Sequence, residues 1–204
     1  MKPFTKSEAI IVSLIFLIVF SVTSLGLKTS LRRARDAGRV SDLGTLTDAL
    51  LTFYEDYGFF PPSEEGKIKM CKGKNFDSVL AQMKEDKEFD FGKLESALRI
   101  CEWGSDSLSD ILDDTGLVYL ERIPIDPRDG QGMKFLYLSN TRHFQVYAYL
   151  EGEDEEAGYN EKIVDRNLFC GIEICSFGKS SGETPLDKSI EDYEEELDRL
   201  RTGK

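Results

Sequence analysis

From Ala9 to Leu27 the chain runs without a charge, AIIVSLIFLIVFSVTSLGL, and no other feature constrains the fold as strongly. A helix rises about 1.5 Å per residue, so this run matches a hydrocarbon core of about 30 Å. A core helix of a soluble domain keeps a polar face, whereas only scattered Ser, Thr and Gly interrupt this stretch. A cleaved secretory signal fits less well. The run is long for such a segment and ends in Leu25-Gly26-Leu27-Lys28, without a small-x-small cleavage site. The expectation is a membrane-embedded helix.

That helix has no evident stop where the apolar run ends. Lys28, Arg32, Arg33, Arg35, Asp36 and Arg39 follow directly, and then Val40, Leu43, Leu46, Leu50, Phe53 (or Tyr54) and Tyr57 recur in steps of three and four. Such steps place one apolar stripe on a helix. The first firm terminator is Phe60-Pro61-Pro62, because proline lacks an N–H and restricts the residue before it. The sequence predicts a rod from about Thr5 to Tyr57, about 80 Å long. Its first half is greasy all round and its second half amphipathic.

Beyond Pro62 the chain reads as a head. Phe76, Val79, Leu80 and Met83 share a helical spacing, as do Phe91, Leu94, Leu98 and Cys101, and Ser105 or Ser107 is a candidate cap for a helix through Leu112. From Leu117 the period changes. Met133–Leu138 and His143–Leu150 read as two strands around a turn at Ser139–Arg142, the second with alternating faces, and Leu168–Cys175 as a third. Three antiparallel strands with one apolar face need a partner, and the stripe ending at Tyr57 is the long one available. The acidic stretch Glu151–Glu156 is expected to be a solvated loop, and the tail from Pro185 a short surface helix.

The expected fold class is therefore α+β: a long N-terminal transmembrane-plus-amphipathic helix packed on a small antiparallel sheet, with a helical insert. The divisions are 1–3, 4–27 (membrane-embedded half), 28–60 (amphipathic half), 61–116 (insert), 117–178 (sheet) and 179–204 (acidic tail). A length of 204 residues suits one such domain plus an appendage. With 38 acidic against 26 basic residues, the net charge of −12 argues against a nucleic-acid partner, which requires a clustered basic face.

No motif points to a reaction, and the chain reads as a non-enzyme. Gly178-Lys179-Ser180 lacks the Walker glycine, since Glu173 stands there, and reads as a turn. His143 is the one histidine, so a hydrolytic triad has no sequence mark. Trp103 reads as a lid on the core of the insert. Asp126 and Asp129-Gly130 miss the spacing of an EF-hand.

The opening Met1-Lys2-Pro3-Phe4-Thr5-Lys6-Ser7-Glu8, a Phe followed four residues later by a single Glu and then an unbroken apolar helix, resembles the start of type IV pilins and type II secretion pseudopilins. Arg33–Leu43, Leu50–Gly58 with Pro61-Pro62, and Ile123-Pro-Ile-Asp-Pro-Arg-Asp-Gly130 resemble the exposed helix half, the helix exit and the segment opening the pseudopilin sheet. The resemblance covers roughly residues 1–62 and 117–151.

It implies a structural subunit that polymerises through its N-terminal helix and displays its head, with insert and tail as a variable surface suited to adhesion. Phe4 becomes the first residue after a prepilin peptidase removes the leader ending at Pro3, and is the site of N-methylation. Glu8 is the carboxylate that docks on the Phe4 α-amino group of a neighbouring subunit. Read from the residues alone, Thr5-Lys6-Ser7-Glu8 is equally a capping box. This chain has Pro3 where the family has Gly, sometimes Ala, and Lys6 and Ser7 where the family has apolar residues.

The resemblance also implies an outward-facing head, first on the cytoplasmic membrane and then on an extracellular or periplasmic filament. Implied partners are copies of itself or related pilins, an assembly platform and membrane lipid. Basic residues after the span give the opposite orientation if the positive-inside rule is taken literally. With the head outside, four cysteines suggest disulfides Cys71–Cys101 and Cys170–Cys175, one of three pairings; a cytoplasmic head would keep four thiols. Some pseudopilins hold Ca²⁺ near the sheet, which makes Asp126, Asp129, Glu153, Asp154 and Glu155 candidate ligands; no other cofactor is implied. The alternatives are a signal-anchored membrane protein that never polymerises, with a ligand- or partner-binding head, and a minor pilin or pseudopilin.

Overall fold

A computed structural model of the chain describes residues 5–86, 90–112, 116–152 and 158–203. Helix α1 runs unbroken over Lys6–Tyr57, 52 residues and hence about 78 Å. The capping box sets its start: the Thr5 hydroxyl accepts from the Glu8 N–H, while a Glu8 carboxylate oxygen accepts from the Thr5 N–H at 2.8 Å. Its end is set at Gly58, whose left-handed φ of +74° lets the cap N–H donate to Tyr54 O at 2.8 Å. The two prolines then lead the chain away.

Two environments divide the helix. Phe16 and Phe20 are 70% and 75% exposed, and their large apolar neighbours from Ile10 onward stand in the open as well. In the second half Leu43, Leu46, Leu50 and Phe53 are fully buried at the expected spacing. The buried stripe extends further back than the apolar pattern implies, because Asp36 and Arg39 lie on it too.

The head is α+β. Short pairs β1 (Ser63–Glu64) with β2 (Lys67–Ile68), and β3 (Cys71–Lys72) with β4 (Leu98–Arg99), frame helices α2 (Phe76–Asp86) and α3 (Phe91–Ala97). The helix expected between Ser105 and Leu112 does not form. Leu108–Ser109 is instead strand β5, paired antiparallel with β6 (Val118–Leu120); Leu108 joins the core from it, and Ile111 from the chain just beyond. Cys101 likewise lies beyond α3, drawn into extended chain where its N–H donates to Ile68 O.

The main sheet has the order β11-β8-β7: Phe177–Ser180, Phe144–Ala148 and Leu136–Ser139, all antiparallel. Two expectations change here. Leu168–Cys175 is not its third strand but a tight hairpin, β9 (Phe169–Cys170) on β10 (Glu173–Ile174). The third strand is Phe177–Ser180, whose Gly-Lys-Ser sequence reads as a turn. Nor does β8 alternate between core and solvent, for all five residues are buried. Phe144, Val146 and Ala148 face the helix stripe, whereas Tyr147 joins Ile163, Cys170 and Cys175 in a second cluster on the other side. Gln145 on that side donates to Lys188 O at 2.9 Å, just before α5 (Ile190–Thr202). The segments between residues 158 and 190, including α4 (Glu161–Asp165), therefore cover a face that the pattern left open to water.

Both expected disulfides are formed, Cys71–Cys101 across the insert and Cys170–Cys175 across the hairpin.

Candidate functional site

The first functional surface is the bare half of α1. Ten large apolar side chains between Ile10 and Phe20 are 40–75% exposed. Fully burying one Val, Leu, Ile or Phe gains about 1.5–3 kcal/mol, so leaving ten such partly exposed side chains in water forfeits on the order of 10–20 kcal/mol. That rivals the whole stability of a typical domain, about 5–15 kcal/mol. The segment therefore requires an apolar environment, and this helix is long and apolar enough to cross a membrane. The hydroxyls of Ser21 and Thr23 donate back to Leu17 O and Val19 O at 2.8 and 2.7 Å, so these polar groups are satisfied within the helix.

The second feature is an ionic collar where the head meets the rod. Arg39 is fully buried. Its Nε and Nη2 donate to Asp126 Oδ2 and Oδ1 at 2.7 and 3.0 Å, a fork on a carboxylate. Its Nη1 donates to Asp36 Oδ1 at 2.7 Å and to Glu151 Oε1 at 2.8 Å. Arg35 makes a second fork on Glu151 at 2.8 and 2.6 Å, and Arg128 approaches the same carboxylate at 3.2 Å. Asp36 also accepts from the Glu151 and Gly152 N–H groups, each at 3.0 Å. Three guanidiniums thus meet three carboxylates. The collar joins one face of α1 to the Ile123–Asp129 segment and to the chain leaving β8.

The charge states follow from these contacts. Hydrogen bonds from Arg35, with further help from Arg39, outweigh burial and hold Glu151 down at about 2. For Arg39 burial opposes the charge, yet bonds to Asp126 and then Glu151 raise its pKa above the ordinary arginine value. Glu151 is thus not part of a solvated loop, as expected from sequence, but an internal counter-ion.

The collar also fixes a standoff. Asp36 lies nine residues beyond Leu27, so the head begins about 13 Å past the end of the apolar run. Lys28 and Arg33 are exposed within that gap.

Glu8 is bound to Thr5 of its own chain through both the Thr5 N–H and hydroxyl, each at 2.8 Å. Asp126 is engaged by Arg39, and Asp129 accepts from Lys134 Nζ at 3.1 Å, so the structure gives each of these two candidate calcium ligands a cation from the chain. Pro3, Phe4, Glu153, Asp154 and Glu155 lie outside the described residues. His143 pairs through Nδ1 with Thr184 Oγ1 at 3.0 Å, just before the central strand β8. The pattern of apolar residues does not announce the collar. Its one signal in the sequence is that Asp36 and Arg39 continue the Leu43/Leu46 spacing backwards on one face.

No protein-family model, curated protein or solved structure matches this chain. The geometry defines an α+β protein with small antiparallel sheets and one N-terminal helix able to span a membrane.

Proposed function

We propose that this chain is a structural subunit of a type IV pilus-like filament, held first in the cytoplasmic membrane with its head outside and then packed helix to helix in the filament core. The observation that carries this reading is the division of α1: an unbroken helix bare on every side for about half its length and locked to a folded head along the rest. A helix that only anchors needs the bare half alone. A rod that continues rigidly into the head gives every subunit the same angle to its neighbours, which a repeating assembly requires. The two disulfides suit a head on the oxidising side of the membrane. Leader removal after Pro3 by a prepilin peptidase, N-methylation of Phe4 and an assembly platform belong to the same reading.

In this assembly Glu8 exchanges its bond to Thr5 for the Phe4 α-amino group of a neighbour. A carboxylate at the edge of lipid is costly unless paired, so the exchange sets register. The internal satisfaction of Glu8 also favours a second reading, a signal-anchored protein that never polymerises and whose head binds a ligand or partner. A minor subunit that initiates filaments of another pilin is the third.

Intact mass of protein from native membranes, taken without reductant, separates these. Loss of Met1 to Pro3, one added methyl and four missing hydrogens support the filament subunit. An unprocessed N-terminus with four thiols refutes it. Among processed proteins, Glu8→Ala tests docking: wild-type filament yield from that variant removes the role assigned to Glu8.

A further inference from the structure

Beside the collar the head carries a cleft of about 200 Å³ that the filament reading does not use. Trp103, Ile125 and Phe135 supply its apolar wall, the two rings lying 6.1 Å apart and tilted by 50°. Lys67 and Lys134 bring donors to it, Glu102 and Asp129 bring acceptors, and Asp126 lines it while held by Arg39. The Trp103 Nε1 is closed off from solvent and donates to nothing among the described residues. Buried donors without a partner are rare in folded proteins.

The loop that presents Trp103 is held from several directions. Cys101 is tied to Cys71, and Arg99 makes a fork on Asp106 at 2.7 and 2.9 Å. The same Asp106 accepts from the Glu102 N–H at 2.6 Å. Gly104, at φ +86°, donates its N–H to Ile123 O at 2.8 Å, and a Cβ there would stand 3.1 Å from Ile125. The tryptophan is thus fixed before any ligand arrives, which lowers the ordering cost of binding.

The chemistry of the walls selects among ligands. Two lysines balance two carboxylates, and Asp126 is already neutralised by Arg39, so the cleft attracts neither anions nor cations strongly. Mixed donors and acceptors around an aromatic surface suit a molecule whose hydroxyls both give and accept protons and whose other face is C–H. The volume lies below the roughly 300 Å³ at which drug-sized sites begin, and so suits one ring.

We propose that this cleft is a carbohydrate subsite that takes a single neutral pyranose, its C–H face on Trp103 and its hydroxyls among Lys67, Lys134, Glu102 and Asp129. The site belongs to the head alone and does not depend on whether the helix polymerises.

Full-length protein in a sugar-free zwitterionic detergent is titrated with methyl α-D-glucopyranoside, methyl β-D-galactopyranoside and, as a zwitterion of similar reach, glycine. Trp103 is the one tryptophan, so its fluorescence reads the site directly, and saturation-transfer NMR reads the ligand. A ring of this size at ordinary ligand efficiency binds with a dissociation constant on the order of 1 mM. At least one hexoside is expected to give a saturable response. Trp103→Ala is expected to abolish its saturation-transfer signal. Lys134→Ala, at an exposed rim position, is expected to weaken binding about threefold, the worth of one surface hydrogen bond, without moving the thermal midpoint. No saturable response to either hexoside up to roughly 100 mM, about a hundred times the expected constant, overturns the proposal. Glycine binding where the hexosides do not overturns it as well. So does hexoside binding that folded Lys134→Ala retains in full.

Discussion

Replacing Arg39 by Met tests whether the collar holds the head on the rod. The substitution keeps a long unbranched side chain but removes the charge from a fully buried position. Its three carboxylate partners do not lose equally. Glu151 keeps the Arg35 fork and Arg128, and Asp36 keeps two backbone N–H donors. The Asp126 carboxylate keeps the Arg128 N–H at 2.7 Å and becomes a buried charge without a counter-ion among the described residues. Breaking a buried pair in this way costs about 3–5 kcal/mol. With a urea dependence of about 2 kcal/mol per molar, the midpoint for the full chain in micelles falls by about 1.5–2.5 M, followed through Trp103 fluorescence. Adding Asp126→Asn to Arg39→Met removes the stranded charge and recovers at least about 2 kcal/mol. A single variant within about 1 kcal/mol of wild type refutes this account of the collar.

Two further outcomes follow from the same contacts. Glu151 titrates near 2 in the folded chain against an ordinary value of 4.5, so its contribution is complete above about pH 4.5 and lost as pH falls toward 2. That contribution is about 2–3 kcal/mol after allowance for the partly exposed Arg35 and Arg128, and acid unfolding of Glu151→Gln is expected to show a correspondingly flatter pH dependence over this window. The disulfides differ in the loops they close, with separations of 30 and 5 residues. On chain entropy, Cys71→Ser/Cys101→Ser costs about 3.5 kcal/mol and Cys170→Ser/Cys175→Ser about 2, so urea midpoints of the two variants should fall in that order. The reverse order refutes the entropic account for this head.

The rod is legible in the sequence because every signal along it agrees. The capping box at Thr5, the uncharged run, the stripe through Leu43, Leu46, Leu50 and Phe53 and the stop before Pro61 are all local, and local rules decide a helix of this length. The sheet is half legible. Leu136–Ser139 and Phe144–Ala148 carry the alternation of strands, but Phe177–Ser180 contains Gly178 and Lys179 and looks like a turn. It becomes a strand because β8 needs a second neighbour, and Gly178 lies so close to Tyr147 that an added Cβ would approach the ring at 2.8 Å. A partner far back along the chain decides such a segment, and its own composition does not. Glu151 departs from expectation for a related reason. The acidic run that it opens looks solvated, yet Glu151 itself is claimed by an arginine 116 residues away.

Charge at the head of the buried stripe answers a question that the apolar residues leave open. Leu43, Leu46, Leu50 and Phe53 repeat in steps of three and four, so a slide of the helix by two turns presents a similar apolar face to the sheet. Such a slide would carry Arg39 about 11 Å from Asp126 and Glu151, and the penalty for stranding those charges opposes it. The collar therefore acts as one pin on the register, together with the Tyr57 hydroxyl on Asp110 and the Tyr119 hydroxyl on Asp56. This distinguishes register from stability in one protein. If the pin is what the charges supply, Arg39→Met/Asp126→Asn should stay folded while the backbone amide signals of residues 36–46 broaden or double. Single sharp amides in that variant would assign register to the remaining contacts and not to the charges.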